Sequence, residues 1–127
     1  MQTQNQKGTE IKSIEMSSEM ETCIQNCWEC YQICSQLLTH CLEKGGKHAD
    51  PQHIKLLGEC AKICNVSADF MLHKSDYHSS ICEVCAEICN ACAVSCEAIA
   101  DDEMMKKCVD ACRKCAGSCE KMGQSKH

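Results

Sequence analysis

The intervals between cysteines constrain this chain more than any other feature. They run 4, 3, 4 and 7 from Cys23 through Cys27, Cys30 and Cys34 to Cys41, then 4 from Cys60 to Cys64. They continue 3, 4, 3 and 4 from Cys82 through Cys85, Cys89 and Cys92 to Cys96, and 4, 3 and 4 from Cys108 through Cys112 and Cys115 to Cys119. Alternating steps of three and four follow one face of a helix, so each run predicts a helix with its thiols at the inward a and d positions of a heptad. All sixteen cysteines fit such positions. The expected fold is all-α, an antiparallel up-down-up-down four-helix bundle with a Cys-lined core.

The breaks between the runs agree. Gly45-Gly46 ends one helix, and Asp50-Pro51 supplies an N-cap and a first-turn proline for the next. Ser75 to Ser80 interrupts the pattern again, with Ser80-x-x-Glu83 as a capping box. Asp101-Asp102 caps the last helix, which Gly123 closes. Ser18-x-x-Glu21 reads as the cap of the first. The predicted helices run over about 19–44, 52–74, 81–100 and 103–122, each roughly 30 to 40 Å long. The bundle occupies 18–123, with an extension at 1–17 and a short flexible tail at 124–127.

A chain of 127 residues holds one core, and this one has a single Trp and a single Phe, so thiols stand where Leu or Phe usually fill space. The net charge of −5, with basic residues scattered, gives no footprint for nucleic acid. The stretch from Met1 to Thr22 lacks the apolar run of a signal peptide and a twin arginine, and no later segment reads as a membrane span, so a cytoplasmic location is expected. There thiols stay reduced, which argues against a disulfide scaffold, as does a single proline.

A core lined with Cys buries little apolar area unless something else fills it, and a metal is the natural filler. Cysteines at i and i+4 lie one turn apart on one face, as in Cys23/Cys27, Cys30/Cys34, Cys60/Cys64, Cys85/Cys89, Cys92/Cys96, Cys108/Cys112 and Cys115/Cys119. Two-coordinate thiolate binding suits copper(I), whereas zinc prefers a closed tetrahedron that straight helices do not wrap. With shared sulfurs the capacity would be about 8 to 16 ions, which means storage and not catalysis. The C-x3-C-x2-C at Cys23, Cys27 and Cys30 matches an iron-sulfur spacing, but it recurs as any cysteine heptad must, and the chain is too short for the barrel such enzymes use. Two rival readings are a zinc or cadmium sink and a thiol redox switch. The switch would need exposed thiols of low pKa.

The C-x3-C-x2-C-x3-C run of the first helix, C-L-E at Cys41 to Glu43, E-C-A-K-I-C at Glu59 to Cys64 and I-C-E-V-C-A-E-I-C-N-A-C at Ile81 to Cys92 together resemble the bacterial copper storage proteins, closely so their cytosolic branch. The resemblance covers about Cys23 to Met122. It implies a four-helix bundle assembled as a homotetramer, whose core thiolates bind many copper(I) ions admitted at one end. Such proteins often carry a His-rich loop between the third and fourth helices. Here that stretch, Asp101 to Met104, is acidic and His-free.

Antiparallel geometry gathers Cys41, His48, His53, Met104, Met105 and Cys108 at one end, read as the mouth. Met16, Met20, Met71, His78 and Met122 gather at the other, as a plug of core methionines or a second ligand cluster. His40, His73 and His127 read as solvated. A second apolar stripe of Ile24, Trp28, Tyr31, Leu38 and Leu42 needs cover, which the N-terminal segment or, in better agreement with a tetramer, a subunit interface would supply. A copper chaperone or a small-molecule thiol would deliver the ions.

Overall fold

The computed structural model describes residues 16–124, and the breaks read from the sequence separate four helices there. Helix α1 spans Ser18–Lys44, α2 Pro51–Leu72, α3 His78–Ile99 and α4 Glu103–Gln124, with a short 3-10 turn, Gly46–Ala49, after α1. Each helix packs on the next in the chain, and α4 returns to α1. Short connections make consecutive helices antiparallel, giving the up-down-up-down order. Most of the predicted extension at 1–17, the tail beyond Gln124 and His127 lie outside the described residues.

Local chemistry explains where the helices begin. Asp50 accepts hydrogen bonds from the Gln52 and His53 amides at 3.1 and 3.3 Å, and Pro51 opens α2. Asp102 accepts from the Met105 amide at 2.9 Å and caps α4. Two predicted caps move. Ser17 caps α1, not Ser18, accepting from the Met20 amide at 3.1 Å. Helix α3 starts at His78, one turn before the Cys82 whose face it shares, so Ser80 lies inside the helix and forms no cap there. The turn before α3 is held instead by Ser75, whose hydroxyl accepts from the Tyr77 amide at 3.0 Å and whose carbonyl accepts from His78 Nδ1 at 2.9 Å.

The core is built of sulfur. All sixteen cysteines are free and fully buried, with Leu37, Leu57, Met71, Met105 and His53 the largest fully buried side chains. Ala61, Ala68, Ala86, Ala93, Ala111 and Ala116 are buried beside them, and side chains this small let neighbouring backbones approach closely enough for thiols to meet. By length and composition alone α3 is apolar enough to cross a membrane, with mean hydropathy 1.2, against the reading that no segment would be. Much of that apolar character sits in Cys82, Cys85, Cys89, Cys92 and Cys96 with Ala86 and Ala93, all buried inside the bundle.

Gly123 does not end α4. It is buried inside the last turn, where an added Cβ would lie 2.7 Å from Glu83 Cγ and 3.4 Å from the Glu83 amide nitrogen. Glycine there permits a close approach of α4 to α3. Gly117, in the middle of the same helix, has nothing within 4 Å of its would-be Cβ. Gly117→Ala should therefore raise the unfolding free energy by about 1 kcal/mol through helix propensity. Gly123→Ala should lower it, because backbone stands behind the Glu83 side chain. Denaturant midpoints of the two variants check both signs.

Candidate metal centre

The four helices bring their thiols into one file of sulfur atoms along the bundle. From the end where α1 begins, Cys23 Sγ lies 3.6 Å from Cys119, and Cys119 lies 3.7 Å from Cys27. Cys115 is 3.7 Å from both Cys27 and Cys64, and Cys64 is 3.6 Å from Cys89. Cys60 continues the file at 3.6 Å from Cys89 and 3.8 Å from Cys30. Cys30 lies 3.7 Å from Cys112, Cys34 3.7 Å from Cys108, and Cys96 3.6 Å from Cys108. Cys85 joins through Cys64 at 3.8 Å. Cys92 belongs to a quartet with Cys34, Cys108 and Cys112.

The shortest approaches join different helices. Within one helix, Cys30/Cys34, Cys85/Cys89, Cys108/Cys112 and Cys115/Cys119 stand at 3.8 to 3.9 Å. The i and i+4 pairs emphasised by the sequence are thus part of a network whose closer links cross between helices. Quartets such as Cys30/Cys60/Cys64/Cys89 and Cys27/Cys85/Cys115/Cys119 have all four sulfurs within 4.8 Å of one another. Straight helices therefore do assemble four-thiol groups, and the argument that only two-coordinate ions fit a bundle does not hold on geometry.

Cys41 stands apart from the file in a mixed cluster at the opposite end. Its Sγ is 3.5 Å from His48 Nδ1, 3.5 Å from His53 Nε2 and 3.7 Å from Met105 Sδ. His48 Nε2 donates to the Asp101 carboxylate at 2.9 Å, which leaves Nδ1 as the nitrogen turned to sulfur. His53 Nδ1 meets Ser95 Oγ at 2.8 Å, so Nε2 is its free face. Burial lowers the pKa of His53 and keeps the ring neutral, the form a metal requires. Met104 is not brought in. It is 37% exposed, while Met105 is fully buried.

His40 is not simply solvated, because its Nε2 donates to Asp102 at 3.0 Å and its ring meets that of His48 edge-on. Those bonds, from His40, the Met105 amide and Lys44, hold the Asp102 carboxyl well below the usual range. Sequence reading missed both aspartates as partners. The acidic pair is visible in the sequence, but His40 lies a whole hairpin away. His73 is exposed. At the far end Met71, Met122 and His78 are buried and Met16 and Met20 are partly covered, next to Cys23 and Cys119. Of the apolar stripe, Ile24 is buried and Leu38 half-buried, while Trp28, Tyr31 and Leu42 remain exposed.

The family described as copper storage protein, Csp, matches residues 16–124. The chain belongs to the copper storage protein family. A solved protein from Nitrosospira multiformis is 44% identical over 85% of this chain and 97% of its own, with a TM-score of 0.79. The copper(I)-bound copper storage protein BsCsp3 is 35% identical over 84% of this chain and 99% of its own, at a TM-score of 0.77. The copper-free copper storage protein 3 of Bacillus subtilis is also 35% identical, over 81% and 97%, at 0.71. No curated protein matches the chain.

In this member of the family the thiols exchange hydrogen bonds along the file. Cys108 falls to about 6 through its hydrogen bonds with Cys112 and then Cys34, and Cys115 to about 7 through those with Cys119 and Cys27. Cys34 is raised by its bond to Cys108, and Cys64 by its bond to Cys115. Cys41 lies outside that exchange. Burial, then Asp102, pushes its thiol from 9.0 up to about 11. A thiol raised on folding stabilises the fold below its unfolded pKa and loses that contribution as pH rises through the folded one. The metal-free, reduced protein should therefore lose stability between about pH 9 and 11. Cys41→Ser should flatten that loss, as read from denaturant midpoints across the range.

Proposed function

We propose that the chain is a copper store in which copper(I) occupies the sulfur file and reaches it through the Cys41 cluster. The observation that carries this reading is the unbroken set of reduced sulfurs 3.6 to 3.9 Å apart from Cys23 to Cys96, spacing at which one soft ion is shared by two or more thiolates. The ligands are Cys23, Cys27, Cys30, Cys34, Cys60, Cys64, Cys82, Cys85, Cys89, Cys92, Cys96, Cys108, Cys112, Cys115 and Cys119. Cys41, His48, His53 and Met105 form the port.

Loading exchanges thiol protons for copper(I), and each bound ion removes negative charge from a buried thiolate network. A small-molecule thiol or a copper chaperone hands the ion to His48 and His53, whose free nitrogens flank Cys41. Sixteen free thiols in one core fit a reducing compartment, which supports the cytoplasm as its location. The exposed Trp28, Tyr31 and Leu42 support a homotetramer built on α1. Similarity to copper storage proteins solved with and without copper(I) supports the cargo.

The thiol quartets favour one second reading, a sink that also holds zinc or cadmium, since four sulfurs within 4.8 Å suit a tetrahedral ion. Anaerobic titration of the reduced protein separates the two. A copper store takes up about eight or more copper(I) ions per chain against a competing chelator, its melting temperature rises with each addition, and excess zinc displaces none of them. Saturation at one or two ions with an unchanged melting temperature would falsify storage. Equal zinc uptake would favour the broader sink.

A further inference from the structure

Ser67 is fully buried, and its hydroxyl has no hydrogen-bond partner. A serine inside a helix ordinarily returns its hydroxyl to the carbonyl one turn back, and this one does not. Its place in the fold gives the reason to look further. On α2 the inward steps run Cys60, Cys64, Ser67, Met71, so Ser67 occupies the position where the heptad calls for the next thiol. Cys64 meets Cys85 on α3 and Cys115 on α4. One step further along the antiparallel helices, those partners become Cys82 and Cys119, and Cys27 on α1 becomes Cys23. Cys23 and Cys119 touch at 3.6 Å, and Cys82 is buried on the inward face of α3. The last layer of the file is therefore three thiols and one hydroxyl.

We propose that Ser67 is a positioning residue for the loaded store, donating its hydroxyl proton to a thiolate of the Cys23/Cys82/Cys119 layer once copper(I) has replaced the thiol proton there. The inference rests on the storage reading above. A serine oxygen is a poor ligand for a soft monovalent ion, so Ser67 does not bind the metal itself. A thiolate that has given up its proton is a far better acceptor than a thiol, and a bond to a charged acceptor is roughly twice as strong as one between neutral groups. The unmet donor of the copper-free protein is thus met when the layer is loaded. Three-thiolate layers carry excess negative charge for each copper(I) they hold, and the hydroxyl dipole offsets part of it without adding a ligand.

This assignment makes the same substitution act with opposite signs in the two states. Removing a buried donor that has no partner, in favour of a better helix former, should raise the denaturant midpoint of the copper-free protein on Ser67→Ala. The same variant should bind at least one of its copper(I) ions about tenfold more weakly, measured against a competing copper(I) chelator. Ser67→Cys, which supplies the missing thiol, should keep or exceed the capacity of the unsubstituted chain. The proposal is overturned if Ser67→Ala lowers the copper-free midpoint, since the hydroxyl then already has a partner. Unchanged affinity for every copper(I) ion in that variant overturns it equally. If the unsubstituted chain itself fails to take up several copper(I) ions, the failure belongs to the storage reading and Ser67→Ala is then judged on the copper-free midpoint alone.

Discussion

Contact between thiol sulfurs across helix boundaries is the constraint on which the rest of this structure depends. Sixteen fully buried cysteines replace the branched and aromatic side chains that hold most bundles together, and each contributes only a small apolar surface. The bundle compensates by close approach. Buried alanines beside the cysteines and Gly123 against Glu83 let the helices come near enough for sulfurs of different helices to stand 3.6 Å apart. A core of larger side chains would hold the helices further apart and leave no file.

The two ends of the file differ in chemistry. At one end His48 and His53 are each fixed through one ring nitrogen, by Asp101 and by Ser95, and turn the other toward Cys41. Fixed imidazoles, each with one nitrogen turned to a buried thiol, make a mixed nitrogen and sulfur cluster there. At the other end Met71 and Met122 are buried, on the side of the file where Cys23 meets Cys119. Those thioethers fill space with few demands on geometry.

Much of this was legible in the sequence because helix periodicity fixes which face a residue occupies. The a and d spacing placed all sixteen thiols inside, and Asp50-Pro51 and Asp102 capped the helices they were expected to cap. Periodicity does not fix the rotation and axial offset of one helix against another. For that reason Cys23/Cys119 and Cys60/Cys89 were not foreseen as the closest contacts, nor were four-thiol groups. Ser17 replaced Ser18, and His78 opened α3 ahead of Ser80, because a cap follows the register that buries the inward face. Gly123 reads locally as a stop, and only its neighbour Glu83 shows why glycine is needed there.

The account stands on sulfurs that share ions along a continuous file, and X-ray absorption at the copper edge of the loaded, reduced protein tests this most directly. Sharing predicts a first shell made of sulfur together with strong scattering from neighbouring copper atoms, growing as more ions are added. A first shell of nitrogen and oxygen, or isolated copper atoms at every loading, would contradict it.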